Sequence, residues 1–224
     1  MESFYYGHKK KWGKLCILII IILIIFLSVI YIKLPDVRLL NDDRQVNGIL
    51  VQLPLPKNIS ADRIIRAINP TKDVDGFTLK SKFDSPFILS IQQALKETKE
   101  NLKGKRIIAL VNSDVFGKAL YRFFLKHESI RVEYITQDNK GKTKQADVLI
   151  TALGQPNLIK SSMIKDGAIL IDGGISKIGG KTVGDIDRES VKEKAEWLAP
   201  VPGGLGPLTV TFLLKNVVLA ASFQ

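Results

Sequence analysis

Cysteine and histidine are nearly missing from this sequence. Its 224 residues hold Cys16 alone, with His8 and His127 far apart. A lone cysteine excludes an intrachain disulfide and any Cys₂ or Cys₄ zinc site, and two distant histidines argue against a histidine-rich metal centre. No metal is expected. The net charge of +11 lacks a long Lys/Arg block beyond residue 33, so the basic excess reads as a solvated face and no nucleic-acid partner is expected. Disorder is excluded as well, because 46% of residues are hydrophobic and 25% charged, enough to bury a core.

Charge is absent from one long stretch. Leu15 to Ile32 runs 18 residues without a charged side chain. As a helix it would extend about 27 Å, close to the roughly 30 Å hydrocarbon core of a bilayer. The stretch reads as a transmembrane helix (residues 15–33) behind a basic tail (residues 1–14) that carries Lys9, Lys10, Lys11 and Lys14 against Glu2. A cleaved signal peptide is the rival. It would have a shorter apolar run and a small-residue cleavage site, whereas Lys33-Leu34-Pro35 follows here. The positive-inside rule then predicts a single-pass membrane protein with a cytoplasmic N-terminus, partnered with the membrane through residues 15–32.

Beyond Pro35 the pattern is globular. Val46 to Leu53 is an apolar run bounded by turn formers and predicts a buried strand. Ser60 is placed to cap a helix over 61–68, which Asn69-Pro70 stops. Residues 86–99 predict a second helix. Strands are then expected over 106–111, 130–136, 147–152 and 168–172, with helices over 116–126 and 187–194 and a helical turn at 161–164. The apolar segment 207–223 predicts a docked helix, since Lys215 and Asn216 interrupt it. Short apolar strands alternating with helices make an α/β fold with a parallel sheet, whose ligands sit at the carboxyl ends of the strands.

Three motifs stand in fixed order. Gly48-Ile49-Leu50-Val51-Gln52-Leu53-Pro54-Leu55-Pro56 comes first, then Lys72-Asp73-Val74-Asp75-Gly76-Phe77, and last Pro200-Val201-Pro202-Gly203-Gly204-Leu205-Gly206-Pro207-Leu208-Thr209. Leu153-Gly154-Gln155-Pro156 and Asp172-Gly173-Gly174-Ile175 lie between them. From Val46 to about Ala221 the chain resembles the bifunctional methylenetetrahydrofolate dehydrogenase/cyclohydrolase family. The resemblance implies a truncated α/β folate domain over 36–86, a Rossmann-like NAD(P)-binding domain over 87–203, and a C-terminal helix over 204–224 that packs back on the folate domain.

It also implies chemistry. The family oxidises 5,10-methylenetetrahydrofolate with NADP or NAD and hydrolyses the methenyl product to 10-formyltetrahydrofolate. By resemblance, Gln52 orients a catalytic lysine and Asp75 holds the pterin. Gly203, Gly204, Leu205, Gly206 and Pro207 wall the folate site. Asn112, Ser113, Gly117, Thr136, Gly154 and Ile175 fall at the cofactor-binding positions, and the resemblance allows a homodimer. A carboxylate suits the donor edge of a pterin, and glycines let backbone approach a flat ring. Read without the family, Gln52 caps a strand end, Asp75 makes an Asx turn and the Gly-Pro segment is a tight turn.

Departures from the family pattern accompany the match. The family's Tyr-x-x-x-Lys has no counterpart upstream of Val46 except Tyr5-x-x-x-Lys9 and Tyr6-x-x-x-Lys10, in unrelated surroundings. In the cofactor loop Val111 stands for a glycine and Asn112 for an arginine, and Asp114 adds negative charge where an anion should bind, although it is also an ordinary helix N-cap. Lys140 and Lys142 are the candidates for a basic residue near a 2′-phosphate. These departures imply impaired turnover. The alternative is a catalytically degenerate, membrane-anchored relative that binds folate or a protein partner.

Overall fold

The computed structural model describes residues 34–223 apart from 53, 54, 57 and 79. The apolar run 15–32 and the pairs Tyr5–Lys9 and Tyr6–Lys10 lie outside the described residues. Among the described residues no helix is long and apolar enough to cross a membrane. The single-pass membrane localisation and membrane partner are corrected in that no described helix carries them, while the transmembrane helix expected over 15–33 falls outside the described residues.

Seven strands occur among the described residues. They are β1 (Ile107–Val111), β2 (Val132–Ile135), β3 (Val148–Ala152), β4 (Ala168–Asp172), β5 (Ser176–Ile178), β6 (Lys181–Val183) and β7 (Ala195–Ala199). Five of them form a parallel sheet in the order β2-β1-β3-β4-β7, and β5 and β6 form a separate hairpin. Ile107 stands opposite Val132 on one side and Val148 on the other. Every residue of β1 and β4 is buried, so these strands carry apolar side chains on both faces instead of alternating.

The helices are α1 (Leu34–Asp42), α2 (Ala61–Arg66), α3 (Pro86–Glu97), α4 (Asp114–Glu128), α5 (Arg188–Val191) and α6 (Leu205–Ala221). Ser60 caps α2 as expected, accepting from the Arg63 N–H at 3.3 Å. Proline opens α3, where its missing N–H has no intrahelical partner to lose. Ile88, Ile91 and Leu95 on α3 then face the sheet together with Leu120, Phe123 and Phe124 of α4. Helices α3 and α6 pack on each other along this same face. The opposite face is covered differently. Its apolar partners are Ala146 just after the 3-10 segment Gln137–Gln145, Met163 of the 3-10 segment Ser161–Met163, the nearby Ile159 and Ile164, and Val191 of α5.

Several expected elements differ. Of the run expected as a strand over 46–53, the described residues 46–52 form none; Ile49 makes one parallel bridge to Asp73, and its N–H donates to the Lys72 carbonyl at 2.7 Å. Among the described residues no further strand lies alongside to extend the ladder, and Ile49 and Val51 fill a small core with Val37, Ile64 and Ile68. The expected helix over 187–194 shortens to α5, and β7 follows it. Strand β7 was hidden by its alanines and glutamate, which favour helix locally. The β5–β6 hairpin and α1 were likewise unforeseen.

Two buried polar side chains pin the segments around this small core, one within it and one to α6. Lys72 is 6% exposed, and its Nζ donates to the carbonyls of Leu40 and Asp43 at 2.9 and 2.7 Å, capping the end of α1. Asn216 on α6 is 4% exposed, and its Nδ2 donates to Val74 O at 2.8 Å and Asp84 O at 3.0 Å. The loop between Val74 and Asp84 is thereby fastened at both ends to one helix. Asn216→Leu strands both carbonyls and should lower unfolding stability by about 1–3 kcal/mol, read as a lower urea midpoint at unchanged slope.

Candidate functional site

The carboxyl ends of the parallel strands open onto one rim. Residues 112–113 follow β1, 153–157 follow β3, 173–175 follow β4 and 200–204 follow β7. The chain leaves β1 for β2 on one side and returns from β2 to β3 on the other, so the topological switch lies between β1 and β3. Open α/β sheets receive ligands in such a crevice.

The turn after β1 leads into α4. Asn112 is exposed, and its backbone N–H donates to Ala152 O at 3.1 Å. The helix cap is Ser113, not Asp114, with Ser113 Oγ accepting from the Phe116 N–H at 3.3 Å. Asp114 is exposed in the first turn, where its charge complements the helix dipole and competes with an incoming anion. Gly117 is buried. A Cβ there would come within 2.4 Å of the Tyr134 ring on β2, so this glycine serves the packing of α4 on the sheet.

Thr136 precedes the segment 137–145 and is half-buried, without a side-chain cap hydrogen bond. Lys142 pairs with Glu133 at 3.0 Å, while Lys140 is exposed. Gln137 and Gln155 exchange side-chain hydrogen bonds of 2.8 and 2.9 Å, joining the turns after β2 and β3. Gly154 takes φ +71°, and its carbonyl accepts from Ser176 Oγ at 2.9 Å. Ile175 is 66% exposed beside it, an apolar surface on a polar rim. The turns bearing Gly154 and Ile175 rest on Asp185 and Asp172. Asp172 fell within a noted motif, whereas Asp185 carried no sequence signal beyond its place in Gly184-Asp185.

On the other side of the rim, Gly203 takes φ +103°, and Gly204 N donates to Pro200 O at 2.8 Å. Gly203, Gly206 and Pro207 are exposed, and Leu205 is buried as α6 begins. Asn216, three turns further along α6, grips the loop that carries Asp75. The carboxylate that ties this loop to itself is Asp73, which accepts from the N–H groups of Phe77 and Thr78 at 3.3 and 2.8 Å. Asp75 is half-buried. Burial, with the Asp73 carboxylate nearby, pushes its carboxyl up to about 6. Gln52 is exposed after the buried Val51.

Comparison with known proteins agrees with this arrangement. The profile of the tetrahydrofolate dehydrogenase/cyclohydrolase NAD(P)-binding domain matches residues 88–224, and that of the catalytic domain of the same enzymes matches residues 34–75. The chain belongs to the tetrahydrofolate dehydrogenase/cyclohydrolase family. It is 46% identical over 191 residues to the bifunctional protein FolD of Aquifex aeolicus, covering 80% of this chain and 66% of that protein. It is 43% identical over 203 residues to FolD of Hydrogenobaculum, covering 84% and 73%. The chain therefore spans about two thirds to three quarters of the length of these two relatives.

Among solved structures, the bifunctional FolD enzyme of Campylobacter jejuni superposes with a TM-score of 0.76 at 36% identity, covering 85% of this chain and 72% of that one. The Trypanosoma brucei enzyme, solved with NADP cofactor and an inhibitor, gives 0.76 at 27% identity, covering 86% and 74%. Membership of this family is the second finding against the membrane-anchored reading.

The raised Asp75 carboxyl has a consequence for stability. Its folded value lies above the ordinary 3.8, so the native state is penalised as pH rises from about 4 to about 6, and the penalty persists above that. Asp75→Asn should therefore stabilise the fold at pH 8 by about 1–3 kcal/mol and leave it nearly unchanged at pH 4. Denaturant titrations at the two pH values measure the difference.

Proposed function

We propose that this chain is a folate enzyme that oxidises 5,10-methylenetetrahydrofolate with NADP or NAD and hydrolyses the methenyl product, the second step being the weaker. In the first step a hydride leaves the one-carbon unit for the nicotinamide. In the second, water adds to the methenyl carbon, the bond from that carbon to N5 breaks with N5 taking up one proton, and one proton is released, giving 10-formyltetrahydrofolate. The observation that carries the reading is α6. Gly203 and Gly204 lead into its first turn, which holds Leu205, Gly206 and Pro207, and its Asn216 clamps the loop of Asp75, so one helix carries both proposed walls of a folate site.

In this reading Asp75, once ionised, accepts from the pterin edge, and the backbone of Gly203, Gly204, Leu205, Gly206 and Pro207 lies along the folate. Asn112, Ser113, Thr136, Gly154 and Ile175 face the dinucleotide, and Gly117 contributes through the closeness of α4 to β2. Gln52 stands on the folate side. The chain divides into a folate-domain remnant (36–86), a dinucleotide domain (87–203) and the returning helix (204–224). Family matches over 34–75 and 88–224 support that division. A homodimer follows from the family likeness.

Impaired hydrolysis rests on one observation: the lysine of the Lys72–Phe77 motif is held by the end of α1 and is committed to structure. A proton relay contributes about 10²–10⁴ in rate, whereas hydride transfer depends mainly on alignment.

The test measures both reactions and folate affinity on the chain and two variants. Oxidation should be detectable, with hydrolysis about 10²–10⁴ slower than in a relative bearing the lysine. Asp75→Ala should abolish folate binding, and Gln52→Ala should change little. Wild-type folate affinity should also fall below pH 6, as Asp75 takes up a proton and loses its acceptor. Folate binding without either activity would favour the degenerate relative. Absence of folate binding would overturn the proposal.

A further inference from the structure

Two buried carboxylates underlie the rim of the sheet, and neither has a role in the reading above, on which this inference rests. Asp172 ends β4 at 2% exposure, and Asp185 is fully buried. Asp172 Oδ1 accepts from the N–H groups of Gly174 and Asp185 at 3.0 Å each and from Thr151 Oγ1 at 3.3 Å, and its Oδ2 accepts from Ile186 N at 3.0 Å. Asp185 Oδ2 accepts from Leu153 N and Oδ1 from Gln155 N, both at 2.7 Å. Each acid is roofed by the other segment's glycine. A Cβ on Gly174 would stand 2.0 Å from Asp185 Cγ, and one on Gly184 would stand 2.0 Å from Asp172 Oδ2.

This arrangement is expensive as core filling. Burying a carboxylate costs several kcal/mol unless its lone pairs are met, and two like charges side by side add to that. Among the described residues no lysine or arginine pairs with either acid. Their hydrogen bonds come from backbone N–H groups of three turns and one hydroxyl. The pair therefore acts as a relay. Asp172 fixes the segment 184–186, and Asp185 in that segment fixes the turn 153–155. Ser176 adds an outer tie to the same turn through Gly154 O.

The position of that turn gives the relay its purpose. In a sheet of this topology the pyrophosphate lies at the helix after the first strand, here α4, and the adenosine ribose is read after the second strand, here β2. The nicotinamide half must then cross the ends of β3 and β4, over 153–155 and 173–175. We propose that Asp185, seated on Asp172, is the positioning residue for the nicotinamide half of the dinucleotide.

The experiment compares wild type with Asp185→Asn, titrating NADP, NAD, ADP-ribose lacking the nicotinamide, and a tetrahydrofolate analogue. The asparagine keeps the shape and loses one of the two acceptors toward Leu153 and Gln155. Dinucleotide Kd should rise about tenfold, while ADP-ribose and folate Kd stay within about twofold. A purely structural role would weaken all of these ligands together or none of them, and either pattern overturns the proposal. If Asp185→Asn does not fold, Ser176→Ala loosens the same turn from its exposed side. It should raise dinucleotide Kd about two- to fivefold without moving that of ADP-ribose; an unchanged dinucleotide Kd overturns the assignment. A wild-type chain that binds folate but no dinucleotide would overturn the cofactor reading, and this assignment with it.

Discussion

Strands β1 and β4 leave no side chain open to water, and β3 leaves only Ala152 partly so. Their backbone groups are met by neighbouring strands, and their side chains by the helices on one face and the turns on the other. Polar chemistry can emerge only where the strands end. That constraint gathers Asn112, Gly154, Ile175 and Gly203 onto one rim although 91 positions separate the first from the last. It also explains why buried acids occur there. The turns beyond β3 and β4 have N–H groups that no strand can satisfy, and Asp172 and Asp185 accept them.

The smaller domain depends on a different device. Its apolar core is slight, built around Val37, Ile49, Val51, Ile64 and Ile68. Directed polar contacts supply what that core lacks. Lys72 fastens α1, and Asn216 fastens the loop of Asp75 to a helix that belongs to the larger domain's packing. The same fastening leaves Asp75 partly desolvated beside Asp73. A carboxylate held this way is costly in the free protein, and a donor-rich ligand edge would relieve it.

Much of this was legible from local pattern. The apolar runs at β1, β3 and β4 were legible because strands buried on both faces need continuous hydrophobicity. The N-cap of α2 and the docking of α6 were legible because Ser60 stands just ahead of its helix and Lys215 and Asn216 interrupt an otherwise apolar one. Strand β7 was not, since Ala195-Glu196-Trp197-Leu198-Ala199 has no strand-like composition and is held by its register with β4. The run 46–53 misled in the opposite direction, because strand propensity without a neighbour to pair with yields one bridge. Local charge at Asp114 suggested a cap, yet backbone geometry gave that part to Ser113. The long uncharged run near the N-terminus suggested a membrane protein, and neither the helices described nor the family bears that out.

Sequence alone determined the sheet's inner strands, the absence of a cysteine-based metal site and the family, because these rest on composition, periodicity and contiguous motifs. Tertiary structure decided which residue of each motif does what. Within Lys72-Asp73-Val74-Asp75 it assigned the lysine to a helix end, the first aspartate to a turn and the second to a half-buried site. It also joined Asp172 to Asp185 and Asn216 to Val74. Such pairings depend on how the chain returns through space, and hydrogen bonds between distant residues leave no periodic trace in the order of the residues that make them.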